Sequence, residues 1–284
     1  MNPRLSRTPP GPFPAALPIG LFDSGVGGLT VFSALRRRLP GEDLLYLGDT
    51  ARLPYGTKGS ETIIRYALQA TEKLVERRIK LLVVACNTAT AIALPALQEA
   101  YAHLPVIGVV EPGAQAACEA SRTGRILVLG TESTIRNQAY TRAIQALRPE
   151  ARVTGISCSL FVSLAEEGWM DGPVMEAAAA RYLAPVLGLP PATRPDCLVL
   201  ACTHFPPLAP AIRAVLSFPL AVVDSAETTA RAVESRLAGQ GLFNPAPRNV
   251  FHFLTTDAPE RFARVAGYFL SGPLAPESLE LVVL

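Results

Sequence analysis

Two cysteines, Cys86 and Cys202, stand in near-copies of one setting: LLVVACNTATAIALPAL around the first and CLVLACTHFPPLAPAI around the second. Each stretch reads as a buried apolar strand, then Ala-Cys, then a polar residue and the start of a helix. A single cysteine at a strand end is most simply a small core residue. Two in matched settings put a thiol at equivalent ends of two strands, so that one can face each side of a bound molecule. That arrangement suits inversion of a carbon centre, where a proton leaves one face and another arrives on the opposite face. Asn87 and Thr203, which follow the cysteines, can cap a helix and leave backbone N–H groups near the sulfur. A helix N-terminus favours thiolate and lowers the thiol pKa from about 8.5. A thiol tuned toward neutrality can both take and give a proton. Cys118, Cys158 and Cys197 lack this double setting and read as core packing.

Other residues could serve such a pair. Asp23 closes the first apolar run and could bind an ammonium group or orient Cys86; it could equally be a turn residue. His204, two residues past Cys202, titrates in a useful range. Glu166 in LFVSLAEEG could support it, although alone it reads as a solvated helix residue. Pro54-Tyr55-Gly56 reads as a rigid turn presenting a hydroxyl, and Asn87, Thr88 and Thr203 offer neutral hydrogen bonds suited to a carboxylate. The segment DSGVGGLTV is neither G-x-G-x-x-G, because Thr30 takes the third glycine position, nor a P-loop. Its glycines read as a tight turn that brings backbone close to a ligand. Cys197, Cys202 and His204 are near in sequence, but no C-x-x-C or second histidine at ligand spacing supports a metal site. Lys58, Lys73 and Lys80 fall in loop or helix positions that do not suggest a Schiff base.

The elements that must position these groups alternate. Apolar runs at 19–23, 44–48, 81–86, 106–109, 126–130, 153–157, 198–202 and 221–223 read as strands. Helical patterns at 28–39, 60–78, 89–101, 135–147 and 174–187 separate most of them, and the C-terminal LELVVL reads as a last strand. Buried strands alternating with helices indicate α/β architecture with mostly parallel sheets covered on both faces. Ligands then bind beyond the carboxyl ends of the strands, where the polar candidates cluster. The second half repeats the order of the first: IGLFDSGVGG pairs with ILVLGTESTI, GDTARLPYG with SCSLFVSLAEEG, and ACNTA with ACTHF. This indicates two similar domains facing each other across a cleft. The expected division is a leader at 1–17, a first domain from 18–112 plus 226–284, and a second from 113–225.

The chain has 284 residues, 49% of them hydrophobic and 18% charged, so a sizeable core is expected. A net charge of +2 leaves no basic footprint for nucleic acid. The arginine runs at 36–38 and 77–78 fall at helix ends, where they complement the dipole. Five cysteines, an odd number in a chain of this size, indicate free thiols in a reducing compartment. The proline-rich leader is not a secretory signal, and no apolar stretch is long enough to span a membrane.

Taken together, FDSGVGGLTV, GDTARLPYGTK, ACNTATA, LFVSLAEEG and ACTHFP, in this order, resemble the glutamate racemases of the aspartate/glutamate racemase superfamily, from about residue 18 to the C-terminus. The resemblance implies two pseudo-symmetric α/β domains with the active site in the interdomain cleft. It implies an isomerase that needs no pyridoxal phosphate, metal or nucleotide. Cys86 and Cys202 would be the acid/base thiols, Asp23 assisting the first, Glu166 and His204 the second. Ser24, Pro54, Tyr55, Gly56, Asn87, Thr88, Thr203 and His204 would line the glutamate site, with Asp23 and the two thiols. D-glutamate would supply peptidoglycan synthesis, and so cell shape, in a bacterial cytoplasm, and the enzyme would be a homodimer. The chain departs from the usual THYP and CPLFVPL patterns at Phe205, Ser159 and Ser163, which leaves the acid/base groups intact. Readings kept beside this one are a racemase of a related amino acid such as aspartate and a non-catalytic amino-acid binder. A cysteine hydrolase pairing Cys86 with His204 would leave Cys202 without a role.

Overall fold

The computed structural model describes residues 14–270 and 272–284. The strands are β1 (Ile19–Asp23), β2 (Leu44–Gly48), β3 (Leu81–Val84), β4 (Val106–Gly108), β5 (Arg125–Gly130), β6 (Arg152–Ser157), β7 (Cys197–Ala201), β8 (Ala221–Asp224), β9 (Phe251–Thr255) and β10 (Leu279–Leu281). The helices are α1 (Leu29–Arg38), α2 (Ser60–Glu76), α3 (Asn87–Ala100), α4 (Val110–Ala120), α5 (Glu132–Asn137), α6 (Ala139–Leu147), α7 (Leu160–Glu166), α8 (Gly172–Leu187), α9 (Ala209–Leu216), α10 (Ser225–Gln240) and α11 (Pro259–Ala266).

Two sheets form. One has six strands in the order β10-β9-β2-β1-β3-β4, the other four in the order β6-β5-β7-β8. Every strand pair is parallel. β5 to β8 repeat the spatial order of β1 to β4, so β3 and β7, the strands that precede the two cysteines, are equivalent. β1, β2, β3 and β7 are buried along their whole length. Helices on both faces leave no strand face in water, so these strands are near-continuous apolar runs.

The chain returns to the first sheet late. After α10, β9 pairs with β2 and β10 with β9. α10 itself packs against α1 and α4, joining the two halves. Its start is fixed by Asp224, whose carboxylate accepts from the Ala226 and Glu227 N–H groups at 2.9 and 3.1 Å.

Most of the leader expected at 1–17 lies outside the described residues, but 14–17 form a turn whose Ala15 carbonyl accepts from Lys80 Nζ at 2.6 Å. That ammonium is buried, pairs with Glu42 at 2.5 Å and also reaches the Leu242 carbonyl. It sits just before β3, at the amino ends of the strands. Two expectations shift. The strand expected at 81–86 ends at Val84. The helix expected directly after Cys202 is absent: a turn and the short 3-10 segment Pro206–Leu208 intervene before α9. A helix begun at Thr203 would need the N–H groups of residues 206 and 207 for its first backbone bonds, and both are prolines, which have none.

Candidate active site

The carboxyl ends of the two sheets converge. Cys86, beyond β3, and Cys202, beyond β7, line one enclosed cavity of about 30 Å³. Ser24, Pro54, Tyr55, Gly56, Asn87, Thr88, Glu166, Thr203 and His204 line the same cavity. Asp23 stands behind its wall, within reach of the Thr203 hydroxyl, which donates to its carboxylate at 3.4 Å. Gly25 of the glycine turn and Thr131, just past β5, complete the lining with Leu53 and Val162. Sequence reasoning missed the last two, aliphatic side chains with no chemical signature. Cys197 starts β7 and Cys202 follows its end, so about 17 Å of strand separates the two sulfurs' backbones.

The two thiols have different surroundings. Cys86 is itself the N-cap of α3: its sulfur accepts from the Ala89 N–H at 3.5 Å, while Asn87 and Thr88 occupy the first turn. Its thiol lies 3.6 Å from the Ser24 hydroxyl. Burial and the neighbouring Asp23 carboxylate nevertheless push the Cys86 thiol up to about 12. The helix terminus offsets this only in part. Asp23 is fully buried, and burial raises its carboxyl above the ordinary carboxylate range. His204 and the Gly25 and Gly28 N–H groups oppose that rise.

Cys202 has no helix terminus. Its sulfur lies 4.0 Å from His204 Nδ1, and the other ring nitrogen, Nε2, lies 3.1 Å from Glu166 Oε1. Burial opposes charge on His204, yet its bonds to Cys202 and Glu166 outweigh burial and raise the imidazole to about 10. Burial likewise opposes charge on Glu166, but His204 and Arg261 hold its carboxyl below the usual range. Both partners thus favour the charged form of His204, which faces a sulfur on one side and a carboxylate on the other.

Several expected substrate contacts are engaged with protein. The Tyr55 hydroxyl, expected to face the cavity, donates to Asp49, which also accepts from Arg52. The Asn87 amide bonds Ser225, and Tyr140 donates to its carbonyl at 2.7 Å. Thr88, Thr131 and Thr134 share a ring of hydroxyl bonds of 2.9 to 3.1 Å. The glycines take different places: Gly25 lines the cavity and Gly28 packs on Asp23 and Tyr46, whereas Gly27 and Gly56 meet the opposite half of the chain. A Cβ on Gly27 would lie 2.4 Å from His204 Nδ1 and 2.5 Å from Thr203 Oγ1; one on Gly56 would lie 2.6 Å from Thr131 Cβ.

Comparison with known proteins agrees with this geometry. Residues 27–233 match the family model described as Asp/Glu/Hydantoin racemase. A glutamate racemase of Geobacter metallireducens is 50% identical over 90% of this chain and 93% of its own length. The solved glutamate racemase isoform RacE1 of Bacillus anthracis superposes with a TM-score of 0.87 at 35% identity, covering 94% of this chain and 98% of its own. A glutamate racemase of Francisella tularensis, solved with D-glutamate, gives 0.87 at 34% identity over 95% of this chain and 98% of its own. With its two equivalent parallel sheets and a thiol at each matching strand end, the chain belongs to the Asp/Glu/Hydantoin racemase family, among the glutamate racemases.

Proposed function

We propose that this protein interconverts L- and D-glutamate with Cys86 and Cys202 as its two acid/base groups. The observation that carries the reading is that both sulfurs line one cavity from equivalent strand ends of the two sheets. Their surroundings suit opposite starting states. Cys86, pushed up to about 12, is the thiol that delivers a proton. Cys202, whose sulfur lies 4.0 Å from His204 Nδ1, is the base that removes one in this direction. Turnover leaves the states exchanged, and the reverse reaction starts from the exchanged form. Asp23 assists Cys86; Glu166 acts on Cys202 through His204.

The α-carbon of an amino acid is a weak acid. Acid/base groups contribute only about 10²–10⁴-fold, so stabilisation of the developing negative charge by fixed donors must supply most of the remainder. Ser24, Asn87, Thr88 and Thr203 are the neutral donors on the cavity wall. Those now bonded to other protein groups exchange partners when carboxylates arrive. A cavity of about 30 Å³ has room for about two waters, so glutamate enters only when the halves part.

The proposed halves are 18–112 with 226–284, and 113–225. The membership of β1–β4, β9 and β10 in one sheet and β5–β8 in the other supports that division. Among the described residues no helix is long and apolar enough to cross a membrane. The reading extends to a cytoplasmic homodimer that supplies D-glutamate for peptidoglycan, without pyridoxal phosphate, metal or nucleotide.

The test is racemisation in D₂O, with glutamate, aspartate and the other amino acids as separate substrates. Glutamate alone is expected to gain α-deuterium and lose optical rotation. Cys86→Ala and Cys202→Ala should each abolish racemisation. Full turnover by either variant sinks the two-thiol mechanism, and turnover of aspartate rather than glutamate sinks the substrate assignment.

A further inference from the structure

Glu166 is the last residue of α7, at the end where the helix dipole is negative and a carboxylate is unfavourable. It is also only 8% exposed. Two cations compensate, one at each oxygen. Oε1 lies 3.1 Å from His204 Nε2, and Oε2 accepts from Arg261 Nη2 at 3.0 Å. The two cations come from different halves. His204 follows β7 of the four-stranded sheet, whereas Arg261 lies on α11, after β9 of the six-stranded sheet. α11 is seated by the buried Phe262, Val265 and Ala266, so the arginine projects from a fixed base.

The Arg261 side chain is 44% exposed and borders a second cavity of about 210 Å³. Leu53 and Glu166 line both this outer cavity and the inner one that holds the sulfurs. The Arg261–Glu166 pair therefore stands at the boundary between the two spaces, bridging the halves.

We propose that Arg261 is a positioning residue: from the opposite half it pins Glu166, so that Glu166 holds His204 against Cys202 only when the cleft is closed. The inference rests on the two-thiol reading. A carboxylate held at one oxygen can swing about that contact; a charge-assisted bond at the second oxygen fixes it. The sulfur contact of His204 is long, at 4.0 Å, so a small rotation of the ring removes it. When the halves part, Arg261 leaves with α11 and the arm loosens. When they close over substrate, it is rebuilt. The pair's value is geometric, since a half-exposed ion pair adds little to stability.

The test uses Arg261→Gln and Arg261→Lys in the full chain, with kcat, KM and Tm measured for both enantiomers of glutamate. Arg261→Gln should lower kcat by ~10-fold, as expected of a small misplacement of a catalytic group, with KM within about two-fold. Arg261→Lys, which keeps the charge and loses the fork, should recover part of that loss. The charged groups around Glu166 are His204, Arg261, Glu167 at the cap of its helix and Asp257 across the outer cavity. Removing Arg261 releases Glu166 upward from its depressed position, so the acid limb of kcat should move to higher pH. Unchanged kcat, or a rise in KM alone, overturns the proposal, the second by making Arg261 a direct substrate contact. If Arg261→Gln lowers Tm, the lysine variant gives the same reading in a folded protein. Cys202→Ala run in parallel separates the two ideas: an active Cys202→Ala defeats the two-thiol reading, whereas an inactive one beside a wild-type-like Arg261→Gln defeats only the positioning role.

Discussion

The two sulfurs are alike in sequence and unlike in chemistry. Cys86 has a helix terminus and a buried carboxylate as neighbours; Cys202 has an imidazolium. After burial, the Asp23 charge is the largest cause that pushes Cys86 up, so Asp23→Asn removes it and should lower the Cys86 pKa. Alkylation of Cys86 by iodoacetamide at pH 8.5 should then be several-fold faster, read by mass spectrometry against the part-exposed Cys118 as an internal reference. Racemisation should fall by about 10²-fold or more, because the assistance of Asp23 to Cys86 is lost. Slower or equal alkylation would show that Asp23 does not act on this thiol. The cysteines and His204 were legible in the sequence because a duplicated strand end is a pattern that survives without coordinates. The engagement of the Tyr55 hydroxyl by Asp49 was not, since nothing local shows which of two partners a hydroxyl takes. Arg261 was not legible either. It is an exposed helical arginine in APERF, and only the return of the chain brings α11 over Glu166.

At the level of elements, the strands were the easiest to read. Burial on both faces turns the central ones into unbroken apolar runs, and β1, β2 and β5 fall close to where those runs lie. Helices with a broad polar face gave weaker signals: α10 reads SAETTARAVESRLAGQ, and α4 begins VEPG, with turn-forming residues inside its first turn. The helix expected at Cys202 fails because Pro206 and Pro207 delay it, and that failure is what gives His204 its place. The turn holding His204 packs directly on the Gly27 backbone. Gly27→Ala therefore tests the fit of one element on another. Its Cβ would overlap His204 and Thr203, and relief requires the imidazole to move off Cys202 or the loop before α1 to retreat. Overpacking of this kind costs about 1–3 kcal/mol. Urea unfolding should show a lower midpoint with the same slope, and kcat should drop by at least ~10-fold. A variant with wild-type kcat and midpoint would mean that the loop yields freely, and that the close approach has no part in placing His204.

Across the whole molecule, the charges in the cleft connect catalysis with stability. His204 draws its partners from both halves: Cys202 and Glu166 bond it from one side, and Asp23 acts on it from the other. Its imidazole is raised from 6.5 to about 10 in the folded chain. The folded protein thus keeps a proton that the unfolded chain releases as pH climbs above about 6.5. That stabilisation is fully present below pH ~6.5 and is lost as pH rises toward about 10. The buried thiols Cys86, Cys158 and Cys197, each pushed up to about 12, act in the same direction, but only above the ordinary thiol value of 9.0. Between pH 7 and 9 the histidine therefore dominates among these groups. One proton corresponds to at most about 1.4 kcal/mol per pH unit, so Tm should fall by roughly 5 °C across that window in a chain of this size. His204→Asn should flatten the slope while lowering Tm at pH 7, because it removes the proton and leaves Glu166 with Arg261 alone. Differential scanning calorimetry at pH 7, 8 and 9 and fixed ionic strength reads both curves. A wild-type Tm that stays level over this range, or a variant that declines as steeply, would mean that the imidazole is not charged between the halves. The assignment of Cys202 as the starting base would then fail with it.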